Sequence, residues 1–347
     1  MIKGLLVSVL TVVAVASLAL AAPRIAVDAS SYDFGQVVAG ISVTHLFTLS
    51  NAGDEPLEIS GVTPGCGCTT ASLEKTTLGP GDSVVLRALV DTADFPGQQI
   101  AKTITVASND PATPRLDLLV VGIVLPAADY QIAASELNRL YVLLIDVRSP
   151  DAYAASHFLG AMNVPYAQID QWIARLPQAL LIILYDQDGS LSDPAAQTLE
   201  EAGLPEARSL LGGLDRWASA YSDEYLTGTS DSTASGLSSA SSPLNYQVDV
   251  AELSRIFYVL VDIRSPEEYA AAHLMGALNL PYPDLAQWQG CLPQGVPLVL
   301  YDQTGALSDQ AAQALRAAGF PGAQSLTGGL DEWTLLYGTR SVLAEEN

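Results

Sequence analysis

The residues best suited to redox or metal chemistry are two cysteines separated by one glycine, Cys66 and Cys68. Such a pair can close a strained, easily reduced disulfide, because strain raises the reduction potential. Two thiolates alone make an incomplete zinc site, to which His45 could add a ligand. The pattern leaves open a redox role, copper binding, sulfur acceptance, a structural disulfide and simply packed thiols. Cys291 stands in no such motif and is interpreted as an incidental thiol.

Two loops form the other candidate site, since each follows an apolar run and precedes a helical pattern. Their residues are Asp186, Gln187, Asp188, Gly189, Ser190 and Leu191 in the first loop and Asp302, Gln303, Thr304, Gly305, Ala306 and Leu307 in the second. In open α/β sheets, a site lies outside the carboxyl ends of the strands. A loop that enters a helix there directs backbone N–H groups inward and adds the helix dipole, so each loop is predicted to be an anion cradle.

The two loops belong to an internal repeat. A shift of 116 residues superimposes residues 146–221 on residues 262–337 without a gap, and roughly half of the positions are identical. The Ser- and Gly-rich stretch 228–243 is typical of a flexible linker. We therefore predict two similar domains, at 126–227 and 244–347, joined by that linker.

Strand-like and helix-like segments alternate within each copy. In the first copy, we predict strands at 141–146 and 179–185 and helices at 150–157, 192–202 and 213–221. Pro150 stands at a starting position of a helix, Ser192 is a predicted N-cap, and Gly203 is a predicted stop. The alternation predicts a mainly parallel sheet that is covered by helices on both faces.

Residues 22–125 carry a different pattern, in which short alternating runs such as 43–49 are separated by turn residues. About seven short strands in about 100 residues predict an all-β immunoglobulin-like sandwich. The segment resembles immunoglobulin-like modules of the ASH/HYDIN type, which include a bacterial family of unknown function. The resemblance is carried by Asp33, Phe34, Gly35, His45, Phe47, Asn51, Gly53, Cys66, Gly67, Cys68, Thr69, Pro80, Gly81 and the run Ser108-Asn109-Asp110-Pro111. It implies a binding or scaffold module and no reaction.

Each copy of the repeat resembles a rhodanese domain. The matching residues of the first copy are Asp146, Arg148, His157, Gly160, Ala161, Asn163, Pro165, Leu211, Gly212, Gly213 and Trp217. Those of the second copy are Asp262, Arg264, His273, Gly276, Ala277, Asn279, Pro281, Gly328, Gly329 and Trp333. The resemblance implies an α/β rhodanese-like fold and sulfur transfer through a cysteine persulfide at the first residue of each loop.

Both copies depart from the family at that position. The loops begin with Asp186 and Asp302 instead of cysteine, and Leu191 and Leu307 stand where the family often has arginine. A carboxylate cannot form a persulfide, because this chemistry needs a thiolate. We therefore assign no catalytic residue, cofactor or metal to the repeats.

We interpret Asp186 and Asp302 as side chains that fill their own cradles, since a carboxylate that accepts several backbone N–H bonds is held ionised. The rival hypothesis makes each aspartate a nucleophile of phosphoryl transfer. It is less favoured because carboxylates that could bind a metal do not stand at a recognisable spacing.

The other matching side chains favour structural roles. We expect His157 and His273 to support the end of a helix, although either could act as a general base. Trp217 and Trp333 lie on amphipathic patterns and are predicted core or interface residues. The aspartate–arginine pairs, Asp146 with Arg148 and Asp262 with Arg264, are expected to orient the loops through hydrogen bonds.

The amino terminus is typical of a secretory signal peptide, residues 1–21. Lys3 precedes an apolar run, and Ala19-Leu20-Ala21 predicts cleavage before Ala22, although an uncleaved anchor is the alternative. We expect the mature protein to be periplasmic or secreted and to lack a membrane span. The net charge of −23 argues against nucleic acid as a partner.

These patterns predict an exported binding or scaffold protein with catalytically inactive rhodanese-like domains. Its partner is expected to be a protein, whose identity the sequence does not give. The alternative is a thiol-redox or sulfur-transfer protein that acts through Cys66 and Cys68.

Overall fold

A computed structural model describes residues 21–223, 225–228, 246–289 and 292–344. The predicted signal peptide (1–21) and linker (228–243) lie outside these residues, except for Ala21 and Gly228, and so does Cys291. The predicted fold class is confirmed, since an all-β sandwich is followed by two α/β repeats with parallel sheets.

The amino-terminal domain is built from strands alone. They are β1 (Ile25–Val27), β2 (Ser31–Val38), β3 (Val43–Asn51), β4 (Leu57–Pro64), β5 (Thr69–Leu73), β6 (Thr77–Leu78), β7 (Ser83–Val90), β8 (Gln98–Ser108) and β9 (Arg115–Leu125). The strand orders of its two sheets are β1-β3-β7-β5 and β2-β9-β8-β4-β6. Side chains alternate across each strand, so Phe47 and Leu49 are fully buried while Leu46 is 54% exposed. The short strands β1 and β6 are additional to the seven or so that the sequence predicted.

The two repeats have matching elements. The first contains β10 (Gln131–Ile132), α1 (Ala134–Leu140), β11 (Val142–Asp146), α2 (Pro150–Ala155), β12 (His157–Phe158), β13 (Met162–Asn163), α3 (Ile169–Trp172), β14 (Leu181–Tyr185), α4 (Ser192–Glu201), β15 (Ala207–Leu210), α5 (Gly213–Tyr221) and β16 (Leu226–Thr227). The second contains β17 (Gln247–Val248), α6 (Val250–Ile256), β18 (Val259–Asp262), α7 (Pro266–Ala271), β19 (His273–Leu274), β20 (Leu278–Asn279), α8 (Leu285–Trp288), β21 (Leu298–Tyr301), α9 (Ala306–Ala317), β22 (Ala323–Leu326), α10 (Gly329–Tyr337) and β23 (Val342–Leu343).

Most of the predicted elements are present, with two differences. Helix α2 begins at Pro150, but it ends at Ala155, because His157 pairs with Thr227 in the β12–β16 ladder. The predicted N-cap of α4 is wrong, since Ser192 is the first helical residue and Leu191 is the N-cap. The Ser192 hydroxyl does not cap the helix because it donates a hydrogen bond to Asp186 at 2.7 Å.

The two repeats form one compact unit and exchange their first strands. The sheet of the first repeat has the order β13-β11-β14-β15-β17, and that of the second has the order β10-β22-β21-β18-β20. Strand β17 therefore completes the first sheet, where Leu210 lies opposite Val248, and β10 completes the second. The predicted boundaries at 126–227 and 244–347 consequently do not coincide with the two sheets.

The helices that follow the exchanged strands pack with the other repeat as well. Helix α1 contacts α10, and α6 contacts α5. Leu137 on α1 shares an apolar cluster with Trp333, and Leu253 on α6 shares one with Trp217. Burial of these side chains stabilises both repeats by roughly 1.5–3 kcal/mol for each large residue. Each repeat thus contributes side chains to the hydrophobic core of the other.

Candidate functional site

The carboxylate of Asp186 occupies the first cradle. Asp186 follows β14 directly, and its side chain accepts hydrogen bonds from Gly189 N (2.9 Å), Leu191 N (2.9 Å) and Ser192 N (3.3 Å). The hydroxyls of Ser192 (2.7 Å) and Ser190 (3.4 Å) add two further donors. These backbone groups belong to the loop and to the start of α4, where N–H groups lack partners within the helix. The hypothesis that Asp186 fills its own cradle is confirmed by these hydrogen bonds.

Asp302 fills the second cradle with longer hydrogen bonds. It accepts from Ser308 N at 3.0 Å and from Thr304 N and Leu307 N at 3.4 Å each. The Ser308 hydroxyl donates to Gly305 O instead of the aspartate. Asp302 is 7% exposed and Asp186 is 2% exposed, so both carboxylates are buried. The first cradle is therefore the more tightly occupied of the two.

A chain of polar side chains connects each cradle to the neighbouring strand. In the first repeat, Arg148 donates to both carboxylate oxygens of Asp146, with Nη2–Oδ2 at 2.6 Å, and also to Gln187 Oε1 at 3.3 Å. Gln187 in turn donates to Asp215 at 2.5 Å. The expectation that this aspartate–arginine pair orients the loop is confirmed. Because the guanidinium is engaged by a buried carboxylate, it is held in place and its charge is paired.

The second repeat repeats this chain. Arg264 donates to Asp262 Oδ2 at 2.5 Å and to Gln303 Oε1 at 2.9 Å. Gln303 donates to Asp331. Gln187 and Gln303 are thus each held between an arginine and an aspartate at equivalent positions of the two repeats.

His157 follows the end of α2 and is the first residue of β12. Its Nδ1 contacts Tyr153 O at 2.7 Å and Thr227 Oγ1 at 2.9 Å, and its ring stacks on Tyr153 at 3.7 Å. Burial lowers the pKa of His157, and the hydrogen bond to Tyr153 opposes this effect in part. His273 makes the same stack and backbone contact with Tyr269. These contacts fit a structural role.

The two tryptophans are core residues. Trp217 is fully buried and meets Phe158 edge to face at 4.8 Å. Trp333 is 1% exposed and meets Tyr141 in the same way at 5.4 Å. The prediction of core or interface positions is confirmed for both.

Cys66 and Cys68 form a disulfide in the turn between β4 and β5. Both residues are half-buried, and the Thr69 hydroxyl lies 3.3 Å from the sulfur of Cys66. The His45 ring stacks on Tyr32 at 3.8 Å. The described part of the chain contains no cluster of three or more residues that could hold a metal. The structure therefore shows a disulfide, and Cys66 and Cys68 are not packed free thiols.

Sequence reasoning missed Ser192 as a partner of the cradle. The signal was present, since Leu-Ser-Asp recurs at 191–193 and at 307–309. A serine at the first turn of a helix was instead interpreted as its cap. The shared role is that of the backbone, since Ser192 N and Ser308 N donate to the preceding aspartates in both repeats.

Each repeat is a parallel α/β domain in which a strand, a loop and a helix N-terminus converge at the candidate site. The family model described as a rhodanese-like domain matches residues 130–220 and 249–336, and the chain belongs to this family. The model for a protein of unknown function, DUF1573, matches residues 25–124. The three matches follow the order of the sandwich and the two repeats.

Similar proteins match only part of this chain. The uncharacterized protein YqhL of Bacillus subtilis is 39% identical over 74 residues, which are 21% of this chain and 59% of that protein. The probable adenylyltransferase/sulfurtransferase MoeZ of Mycobacterium tuberculosis is 30% identical over 161 residues, which are 42% of this chain and 40% of that protein. The chain thus covers less than two thirds of each of these relatives.

The ASH / PapD-like domain of human CEP192 is a structural neighbour with a TM-score of 0.27 and 13% identity, covering 37% of this chain and 99% of that domain. Because both the TM-score and the identity are low, the description of residues 22–125 as a sandwich is based on the strands and sheets of this chain alone. None of the described helices is both long enough and apolar enough to span a membrane.

Proposed function

We propose that this chain is an exported binding and scaffold protein whose rhodanese-like domains are catalytically inactive. The observation that carries the proposal is the carboxylate of Asp186, which accepts the backbone hydrogen bonds that would otherwise hold an anion. Asp302 does the same in the second repeat. A buried carboxylate in this position repels an anionic sulfur donor and supplies no thiolate to accept its sulfur.

The engaged arginines support the same conclusion. A guanidinium could bind an anionic donor, but Arg148 and Arg264 are each paired with a buried aspartate. Arg148 is oriented by Asp146 and Gln187 together, so freeing it would leave a buried carboxylate unpaired. The loops are therefore stable as folded elements without a ligand, and the surfaces around them remain for a protein partner.

The proposed export has a consequence for the first residues of the sandwich. Ala22 N donates to Asp54 Oδ1 at 2.8 Å, and Asp54 N donates to Ala22 O at 3.3 Å. If the signal peptide is cleaved before Ala22, this nitrogen becomes the α-ammonium of the mature protein. Its hydrogen bond to Asp54 then becomes an ion pair on the surface. Sequencing of the amino terminus from the exported protein should begin at Ala22, whereas an intact terminus would favour an uncleaved anchor.

The second candidate is thiol exchange or sulfur transfer through Cys66 and Cys68. It is favoured by one observation, the half-buried disulfide beside the Thr69 hydroxyl. On reduction, that hydroxyl could donate to the thiolate of Cys66 and stabilise it. The disulfide would then be a redox site and not only a cross-link.

A sulfur-transfer assay separates these functions. Purified mature protein is given thiosulfate and cyanide, and formation of thiocyanate is followed. The proposal expects no rate above the uncatalysed reaction for the wild type. A rate that disappears in the Cys66→Ser/Cys68→Ser variant would establish the second candidate, and a rate that survives in this variant would contradict both.

A further inference from the structure

An apolar cavity lies at the seam between the two repeats. Its volume is about 280 Å³, and its walls include Val142 and Leu181 from the first repeat and Phe257 and Tyr258 from the second. This volume lies just below the roughly 300–1,000 Å³ that is common for ligand pockets, so the cavity suits a small molecule and not a protein segment. We call it the seam pocket.

Two arginines, Arg139 and Arg255, also line the seam pocket. They are equivalent in the repeat and lie in the last turns of α1 and α6, the helices that follow the exchanged strands. Both are exposed, and no described residue forms an ion pair with either. On a protein with a net charge of −23, two unpaired cations beside one cavity form a local site for an anion.

Leu140 extends the apolar surface to the exterior. It lines the same cavity, follows Arg139 directly, and is 52% exposed. An apolar group that enters the cavity can therefore contact Leu140 while a polar end stays near the arginines. Removal of the apolar part from water favours binding.

We propose that the seam pocket binds a small amphiphilic carboxylate. The apolar tail lies among Val142, Leu181 and Phe257, and the carboxylate accepts hydrogen bonds from Arg139 and Arg255. Guanidinium groups suit this role because their fork of N–H donors matches the two carboxylate oxygens. The site is formed by both repeats together, and it does not depend on whether the loops are inactive.

Calorimetric titration with sodium decanoate tests the site in the full mature chain. We expect saturable binding with one molecule per chain. The Arg139→Gln/Arg255→Gln variant should bind about tenfold more weakly or worse, because it removes the charge-assisted hydrogen bonds to the carboxylate. The matched control is Arg87→Gln/Arg115→Gln, which removes two exposed arginines from the sandwich and makes the same change in net charge. This control should bind as the wild type does.

A second variant and a second ligand complete the test. Leu140→Glu places a negative charge at the exposed edge of the pocket and should weaken decanoate binding without touching the buried core. Decanol, which lacks the charge, should bind much more weakly than decanoate. Absence of saturable binding, equal binding by the arginine variant and its control, or equal affinity for decanol and decanoate would each overturn the proposal.

Discussion

At the scale of single residues, the central feature is the buried carboxylate of Asp186 at the first position of the loop. Moving a carboxylate out of water is unfavourable unless hydrogen bonds compensate for the lost solvent. Asp186 meets this condition with three backbone N–H groups and two hydroxyls. These hydrogen bonds stabilise the loop around the carboxylate, which supports the proposal that the repeats do not transfer sulfur.

Substitution of Asp186 or Asp302 by asparagine should reveal how much each carboxylate contributes to the stability of the folded protein. Asp186→Asn should lower the free energy of unfolding by about 2 kcal/mol, because the amide nitrogen cannot accept from the N–H groups that face it. Asp302→Asn should have a smaller effect, since the hydrogen bonds of Asp302 are longer. Urea denaturation measures both, with the exposed Asp188→Asn as the control. Equal losses, or a larger loss for Asp302→Asn, would contradict this ranking.

His157 should make the repeats sensitive to acid. Burial lowers its pKa in the folded state, so the unfolded chain, with a histidine pKa of about 6.5, binds the proton more readily. The contribution of neutral His157 to the free energy of unfolding is complete above a pH of about 6.5. This contribution is lost as the pH falls through the pKa of His157 in the folded state. Urea denaturation at a series of pH values should show a flatter acid dependence for His157→Gln than for the wild type. If the free energy of unfolding depends on pH in the same way for both proteins, His157 is not the source of the acid sensitivity.

At the scale of elements, the two repeats meet where two glycines face each other. Gly160 and Gly276 have φ of +77° and +74°, and a Cβ on either would lie 2.8 or 2.7 Å from the carbonyl oxygen of the other. The turn after β12 and the equivalent turn after β19 can therefore approach each other only with glycine at both positions. The two turns are therefore in direct backbone contact across the two repeats.

Alanine at Gly276 should test this contact. Gly276→Ala is expected to destabilise the protein through both its positive φ and the clash with Gly160 O. Gly319→Ala is the matched control, since Gly319 also has a positive φ, +100°, but its Cβ would meet no atom within 4 Å. Thermal unfolding should show a clearly larger loss for Gly276→Ala. Equal losses would mean that the contact between the repeats contributes nothing.

Local signals in the sequence predicted elements well but could not predict their partners. Pro150 and the apolar run of β14 act within their own segments, so their interpretation needed no tertiary information. Strands β10 and β17 have the same local pattern whether they pair within their own repeat or with the other one. The exchange is accompanied by the packing of Leu137 and Leu253 across the repeats, and no local pattern encodes that packing. The role of Ser192 was missed for the same reason, since its partner lies outside the helix.

At the scale of the whole molecule, the exchange should make the two repeats inseparable. A protease site introduced between residues 229 and 245, once cut, should leave two fragments that elute together in size-exclusion chromatography. Each fragment supplies a strand and a helix to the core of the other, so separation requires exposure of both cores. The same cut protein in urea serves as the control and should separate. Fragments that separate under native conditions would contradict the exchange.

The proposal that the repeats do not transfer sulfur is tested most directly by a single-turnover measurement, which does not depend on the choice of acceptor. Reduced mature protein is incubated with excess thiosulfate, and its intact mass is determined. We expect no gain in mass, because both loops present a carboxylate where a persulfide would form. A stoichiometric gain of one sulfur atom, located on Cys66, Cys68 or Cys291, the three cysteines of the chain, would contradict the proposal that the protein is inactive.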